Sequence, residues 1–185
     1  MDRKTLEKII DTLQKRYKIK FKKENPFRVL IGVMLSHRTT DAVSWPATDR
    51  LFARASTPQK ILKLSSKEIG KIIYPVGFYN TKAKRIREVC KMILEKYNGK
   101  VPRTREELMK LPGVGGKSAD VVLSFAFGEP VIAVDSHVKW VSHVLKISRE
   151  KNPEKVRQAL HDLIPRKRRL IVNNLFVEFG REVCN

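Results

Sequence analysis

Lys117 closes a glycine-rich stretch, Leu111-Pro112-Gly113-Val114-Gly115-Gly116-Lys117, and Asp135 follows in Val134-Asp135-Ser136-His137. A lysine amine that sheds its proton can attack an electrophilic carbon and form a Schiff base, and a carboxylate can stabilise a carbon that turns cationic. An ordinary lysine is protonated at neutral pH, so this chemistry needs desolvation or neighbouring cations. The glycines let backbone approach a partner closely, and the N–H groups of a turn that opens a helix suit a phosphate oxygen. Spacing alone leaves other uses open: a plain helix connection for the turn, a phosphate contact for Lys117, and for Asp135 the N-cap of a helix beginning Ser136-His137-Val138. The spacing is not that of a Walker loop, and no strand precedes it. No carboxylate cluster accompanies the turn, which argues against a nuclease using metal-bound water.

The elements that must hold these residues read as helix almost throughout. Thr104 to Lys110 is a short helix with Thr104 and Glu107 spaced as a capping box, and Ser118 to Phe127 is a second apolar-periodic run. Together they make a helix, a hairpin and a helix over about 104–127. Leu6, Ile9, Ile10, Leu13 and Tyr17 share one face of a first helix, and Phe27 to Leu35 is apolar enough to be buried. Thr57-Pro58, Ser65-Ser66 and Asn152-Pro153 are helix starts. Ala83, Ile86, Val89, Cys90 and Ile93 recur at helical spacing, which puts Cys90 in a core. Lys82, Lys84 and Arg85, at the head of that helix, read as a solvated face, with phosphate contact as the alternative. Pro46 disturbs the next run: either its helix starts late, near Ser44, or it is kinked, with Thr40-Asp41 as a plausible start. Pro130 to Val134 is a short extended connector, and Leu170 to Phe179 belongs to the last helix.

Charge points to a polyanion. There are 39 Lys and Arg against 19 Asp and Glu, a formal net charge of +20 and an isoelectric point near 10.2. Nucleic acid is the first candidate and an acidic membrane surface the second. Single clusters such as Lys18 to Lys23 and Arg166 to Arg169 could be solvated surface, but the total excess is too large for that. With 42% apolar residues the chain can build one large or two small cores. No apolar run approaches a membrane span and no signal peptide is visible, so the expected place is the prokaryotic cytoplasm, at the nucleoid. Two cysteines, Cys90 and Cys184, do not make a disulfide framework.

LPGVGGKSADVVLSFAFG followed by PVIAVDSHV closely resembles the endonuclease III family of the helix-hairpin-helix DNA glycosylase superfamily. Pro26-Phe27 with LIGVMLS, GFYNTKAKRI (77–86), NGKVPRTREELMKLPGVG (98–115) and EFGREVC (178–184) fall in the family's order, so the resemblance covers nearly the whole chain. It implies an all-α, two-domain fold. Residues 25–129 would form a helical domain carrying the hairpin, and 1–24 with 130–185 a second one built from both termini, with DNA in the cleft between them. It also implies a monomeric base-excision-repair glycosylase with apurinic/apyrimidinic lyase activity, removing oxidised pyrimidines from damaged duplex DNA. Lys117 would be the Schiff-base nucleophile and Asp135 the catalytic carboxylate, supported by Ser136 and His137. Gly113, Val114, Gly115 and Gly116 would bind DNA. The alternatives are a glycosylase of the same superfamily for 8-oxoguanine or a mismatched base, or a non-catalytic helix-hairpin-helix DNA-binding module. Adenine-mismatch enzymes usually carry Glu where Gly32 stands and no lysine at position 117, which argues against that branch.

Two stretches depart from the family pattern. Leu35-Ser36-His37-Arg38-Thr39-Thr40-Asp41 lacks the usual Gln, so His37 or Arg38 must fill the gap left by a turned-out nucleotide if the chain uses that device. Many relatives follow the position of Cys184 with three more cysteines that bind a [4Fe-4S] cluster, whereas this sequence ends at Asn185. One thiolate there cannot hold a cluster that takes four. No cofactor is expected unless the natural protein continues with three more cysteines.

Overall fold

The computed structural model describes residues 1–183, and among them every regular element is a helix. In chain order these are α1 (Arg3–Tyr17), α2 (Pro26–Ser36), α3 (Asp41–Arg54), α4 (Pro58–Leu62), α5 (Ser66–Ile73), α6 (Tyr79–Lys96), α7 (Arg105–Met109), α8 (Gly116–Val122), α9 (Ser136–Val144), α10 (Pro153–Leu163) and α11 (Arg166–Val183). A π-helical stretch, Leu123–Phe127, extends α8. Cys184 lies outside the described residues.

Local chemistry sets the helix starts. Asp2, Asn25, Thr57, Ser65, Thr104 and Asn152 each accept a backbone N–H from the first turn that follows, and Pro26, Pro58 and Pro153 stand where a missing N–H costs nothing. Ser65 and Glu68 form a complete capping box. At Thr104 the hydroxyl does both jobs: it accepts the Glu107 N–H at 3.3 Å and donates to the Glu107 carboxylate at 3.2 Å. Helix α3 starts at Asp41, not near Ser44, and Pro46 lies inside it. Its first turn closes ahead of the proline, because the Thr40 carbonyl accepts both the Val43 and Ser44 N–H groups, at 3.1 and 3.0 Å.

Two compact units result. Glu24–Phe127 forms one, and Met1–Lys23 with the chain from Gly128 forms the other. In the first, α2 is buried along nearly its whole length and packs on α3, α6 and α8. Helix α6 turns Ala83, Ile86, Val89, Cys90 and Ile93 into the same core, and burial pushes the Cys90 thiol up to about 12. In the second unit α11 packs on α1 and α9, around Leu6, Ile10, Val138, Val156, Leu160 and Phe176. Part of the Arg166–Arg169 run is structural. Arg168 pairs with Asp11, and Arg169 donates to the carbonyls of His161 and Ile164.

The connector before Asp135 has neither helix nor strand, yet Ile132, Ala133 and Val134 are buried. Buried backbone polar groups need partners. The Ile132 N–H donates to His161 Nε2 at 3.1 Å, and Asn173 Nδ2 donates to the Ala133 carbonyl at 2.7 Å. These two side chains, from α10 and α11, fix the path of the chain into Asp135.

Phe176 is among the largest fully buried side chains of its unit. Truncation there removes aromatic packing and leaves a cavity, so Phe176→Ala should cost about 3–5 kcal/mol. Denaturant unfolding followed by circular dichroism will measure that loss.

Candidate active site

The hairpin joins α7 to α8. Leu111 and Val114 are buried, and the Val114 N–H returns to the Leu111 carbonyl at 3.0 Å. Gly113 has φ of +81°, and a Cβ there would also come within 3.3 Å of Arg85 Cδ. The turn therefore needs glycine for both backbone and space. Gly115 is the N-cap of α8 and offers no side chain to the helix's first N–H groups. Nothing lies within 4 Å of where its Cβ would be, so the turn is open on that side. An ion pair holds the two helices: Arg105 Nε, in the first position of α7, lies 3.1 Å from Asp120 Oδ1, and the Asp120 side chain is 2% exposed. The sequence signal for this pair was a lone carboxylate in the apolar run of α8.

Lys117, the second residue of α8, is exposed and lines a pocket of about 690 Å³. The rest of the wall comes from Gly113, the end of α2 with His37 and Arg38, and the head of α6 with Phe78, Lys82 and Arg85. Arg38, Lys82, Arg85 and Lys117 are cations, and among the described residues no carboxylate lines the pocket. Such a surface attracts phosphate. Arg38 and Phe78 both adopt left-handed backbone, φ +51° and +58°, and both are exposed. The Arg38 guanidinium lies over the Phe78 ring, 5.7 Å from its centroid. Phe78 was not singled out from the sequence; its signal is a large aromatic next to Gly77 in a turn.

His37 is half-buried and held by a partner far along the chain. Its Nε2 lies 2.9 Å from Ser118 Oγ, which joins the end of α2 to the first turn of α8. Burial, then the charges of Lys117, Lys82 and Arg85, push the imidazole below its ordinary range and favour the neutral ring.

Lys82 corrects the sequence reading. It is 7% exposed, not on a solvated face, and its Nζ donates to Leu35 O at 2.8 Å, His37 O at 2.5 Å and Thr39 Oγ1 at 3.2 Å. Burial lowers its pKa to about 8. An ammonium has three hydrogens, and all three are committed here, so Lys82 has none to exchange with a substrate. The sequence did carry the signal: Lys82, Ile86, Val89 and Ile93 share one helical face. Lys84 and Arg85 are exposed, as read.

The remaining residues belong to the other unit. Asp135 caps α9, accepting the Val138 N–H on Oδ1 at 2.8 Å, and is half-buried. Ser136 is exposed. The His137 ring lies against α11: a Cβ on Gly180 would meet its Nδ1 at 2.9 Å. The structure thus brings Lys117, His37, Arg38 and Gly113 to one pocket, and places Asp135, Ser136 and His137 at one helix start.

Among the described residues no three His, Cys, Asp or Glu side chains gather as a metal site. The two cysteines of the sequence do not fit a cluster that takes four thiolates, and Cys90 is sealed in the core. No helix of the described residues is long and apolar enough to cross a membrane.

The site is a glycine hairpin between two helices, followed by an exposed lysine in a cationic pocket. Residues 31–166 match the family model described as HhH-GPD superfamily base excision DNA repair protein. Endonuclease III of Thermotoga maritima is 40% identical over 179 residues, 97% of this chain and 84% of its own length. Endonuclease III of Bacillus subtilis is 42% identical over 161 residues, 86% of this chain and 74% of its own length. A solved structure of a trapped Endonuclease III–DNA covalent intermediate matches with a TM-score of 0.91 at 39% identity, covering 100% of this chain and 89% of that one. The chain belongs to the endonuclease III family of that superfamily.

His37 gives a pH signature. Its folded pKa lies below the ordinary 6.5, so the unfolded chain takes up the proton first. Stability is therefore full above about pH 6.5 and falls as pH drops through the folded value. His37→Gln should flatten that dependence. Melting midpoints at about pH 7.5 and about pH 5.5 will show a larger acid drop in wild type than in the variant.

Proposed function

We propose that the base-excision chemistry of this endonuclease III family member runs through Lys117, with Asp135 as the carboxylate that stabilises the sugar, and that the bases removed are oxidised pyrimidines. The enzyme is a DNA glycosylase with abasic-site lyase activity. The observation that carries the Lys117 assignment is its position: exposed on the wall of a cationic pocket, directly after the glycine turn. Similarity to Endonuclease III over nearly the whole chain supports the choice of base.

The reaction follows from what these groups can do. The target nucleotide must leave the stack, at a cost of a few kcal/mol. The open glycine turn offers backbone N–H groups to a phosphate, and the pocket cations offset its charge. Arg38 and Phe78 at the rim supply a donor-rich plane and an aromatic wedge for the space left behind. As the N-glycosidic bond breaks, its electron pair leaves with the base, which takes up a proton. The Lys117 nitrogen forms a bond to the sugar carbon, the ring oxygen takes a proton as its bond to that carbon breaks, and the open sugar is left as a protonated Schiff base. That cation acidifies the neighbouring C–H; loss of the proton expels the 3′ phosphate and nicks the strand. A carboxylate such as Asp135 stabilises the cationic sugar and assists the proton transfers. No step is assigned to an iron-sulfur cluster.

Borohydride reduction freezes the Schiff base as a covalent adduct. Wild type should give a trapped band on duplex DNA carrying an abasic site or thymine glycol, and Lys117→Gln should lose it on both. A band that survives Lys117→Gln would refute the nucleophile. A band on 8-oxoguanine duplex but not on thymine glycol would move the enzyme to the other branch.

A further inference from the structure

The pocket rim is built from two turns, and one buried side chain ties them. Helix α2 ends at Ser36, and its last carbonyls have no partner within the helix. Ser36 Oγ donates to Val33 O at 2.9 Å, and the Thr39 N–H donates to Ser36 O at 3.1 Å. Leu35 O is answered from another helix, by Lys82 Nζ of α6, which also reaches the His37 carbonyl just beyond. A cation at the negative end of α2 is favourably placed.

Thr39 extends the tie. Its Oγ1 accepts from Lys82 Nζ at 3.2 Å and from the Gly77 N–H at 3.1 Å, and its hydroxyl faces His37 O at 3.3 Å. A Cβ on Gly77 would meet the Arg38 carbonyl at 2.9 Å, so the backbone of the Gly77-Phe78 turn lies directly on the backbone of the His37-Arg38 turn. Lys82, Thr39 and Gly77 thus clamp together the two exposed left-handed residues, Arg38 and Phe78. Left-handed backbone is unfavourable for both and persists only where surrounding bonds enforce it.

We propose that Lys82 is a positioning residue for DNA engagement: its three donated hydrogen bonds hold the Arg38 and Phe78 turns as one rigid rim, so that the rim meets the distorted duplex already formed. This rests on the reading of the pocket as the seat of the turned-out nucleotide. Rigidity acts on binding, because a floppy rim must be ordered when DNA arrives. It leaves the Lys117 amine and its reaction largely alone. The effect of Lys82 therefore falls on KM and Kd and not on kcat.

The test uses the whole chain, with Lys82→Met, which keeps the alkyl stem but no donor, and Thr39→Val, which removes the shared hydroxyl. Binding is measured by fluorescence anisotropy on a duplex holding a tetrahydrofuran abasic analogue, which cannot form a Schiff base. Turnover is measured on a true abasic duplex. Loss of charge-assisted bonds predicts a rise of about tenfold in Kd and KM for Lys82→Met, with kcat changed less than about threefold, and a smaller shift in the same direction for Thr39→Val. A collapse of kcat at unchanged Kd would overturn the proposal, as would unaltered Kd and KM in both variants. If circular dichroism shows Lys82→Met unfolded, Thr39→Val decides by the same split. Wild type that binds the analogue but gives no borohydride adduct would defeat the lyase assignment, while the Kd comparison still decides the role of Lys82.

Discussion

Helix α2 sets the terms for the unit that holds the pocket. It is apolar on nearly every face, so the unit must wrap around it, and α3, α6 and α8 do. A helix enclosed in this way cannot rely on water to satisfy its ends. Asn25 answers its N-terminus, and Lys82 answers its C-terminus from across the core. The C-terminal answer has a further effect. An ammonium brought in to satisfy carbonyls places charge beside the pocket, and the turn that leaves α2 carries His37 and Arg38 into its wall. A solution to a burial problem and the layout of a binding rim are thus the same set of bonds.

Charge is organised with similar economy in the hairpin. The one carboxylate buried in α8, Asp120, is paired with Arg105, so it does not cancel the field at Lys117's end of the helix. The pair also holds α7 against α8, which keeps the glycine turn in shape while its outer side stays open. A concave wall of one sign focuses potential and draws in a polyanion before any specific contact is made. Affinity built this way weakens steeply as salt rises, through release of counterions from the phosphates.

Much of this was legible in the sequence, for physical reasons. Helix starts follow short-range hydrogen bonding, so Thr57, Ser65, Thr104 and Asn152 could be read directly. The apolar spacing of α6 placed Cys90 inside, and the unbroken apolar run of α2 announced its burial. What escaped were bonds between residues far apart in the chain. Lys82 looked solvated because its three acceptors lie on another helix and the turn beyond it. The tie from His37 to Ser118 joins residues 81 positions apart and leaves no local pattern. Phe78 had only the weak signal of an aromatic beside Gly77, since its exposure is set by a turn and not by a helix face. The late start considered for α3 gave too much weight to Pro46, whose helix is already nucleated by the Thr40 carbonyl. Glycine spacing and the lysine after it pointed to the hairpin, while the pocket around that lysine needed three dimensions.

Cys90 gives the fold one more property. Peroxide and related oxidants attack the thiolate, not the thiol. Burial raises the pKa of the Cys90 thiol and leaves it with no solvent exposure, which favours the unreactive thiol over the thiolate. Burial thus keeps this sulfur out of reach of such oxidants, and the core around α6 is chemically quiet as well as closely packed.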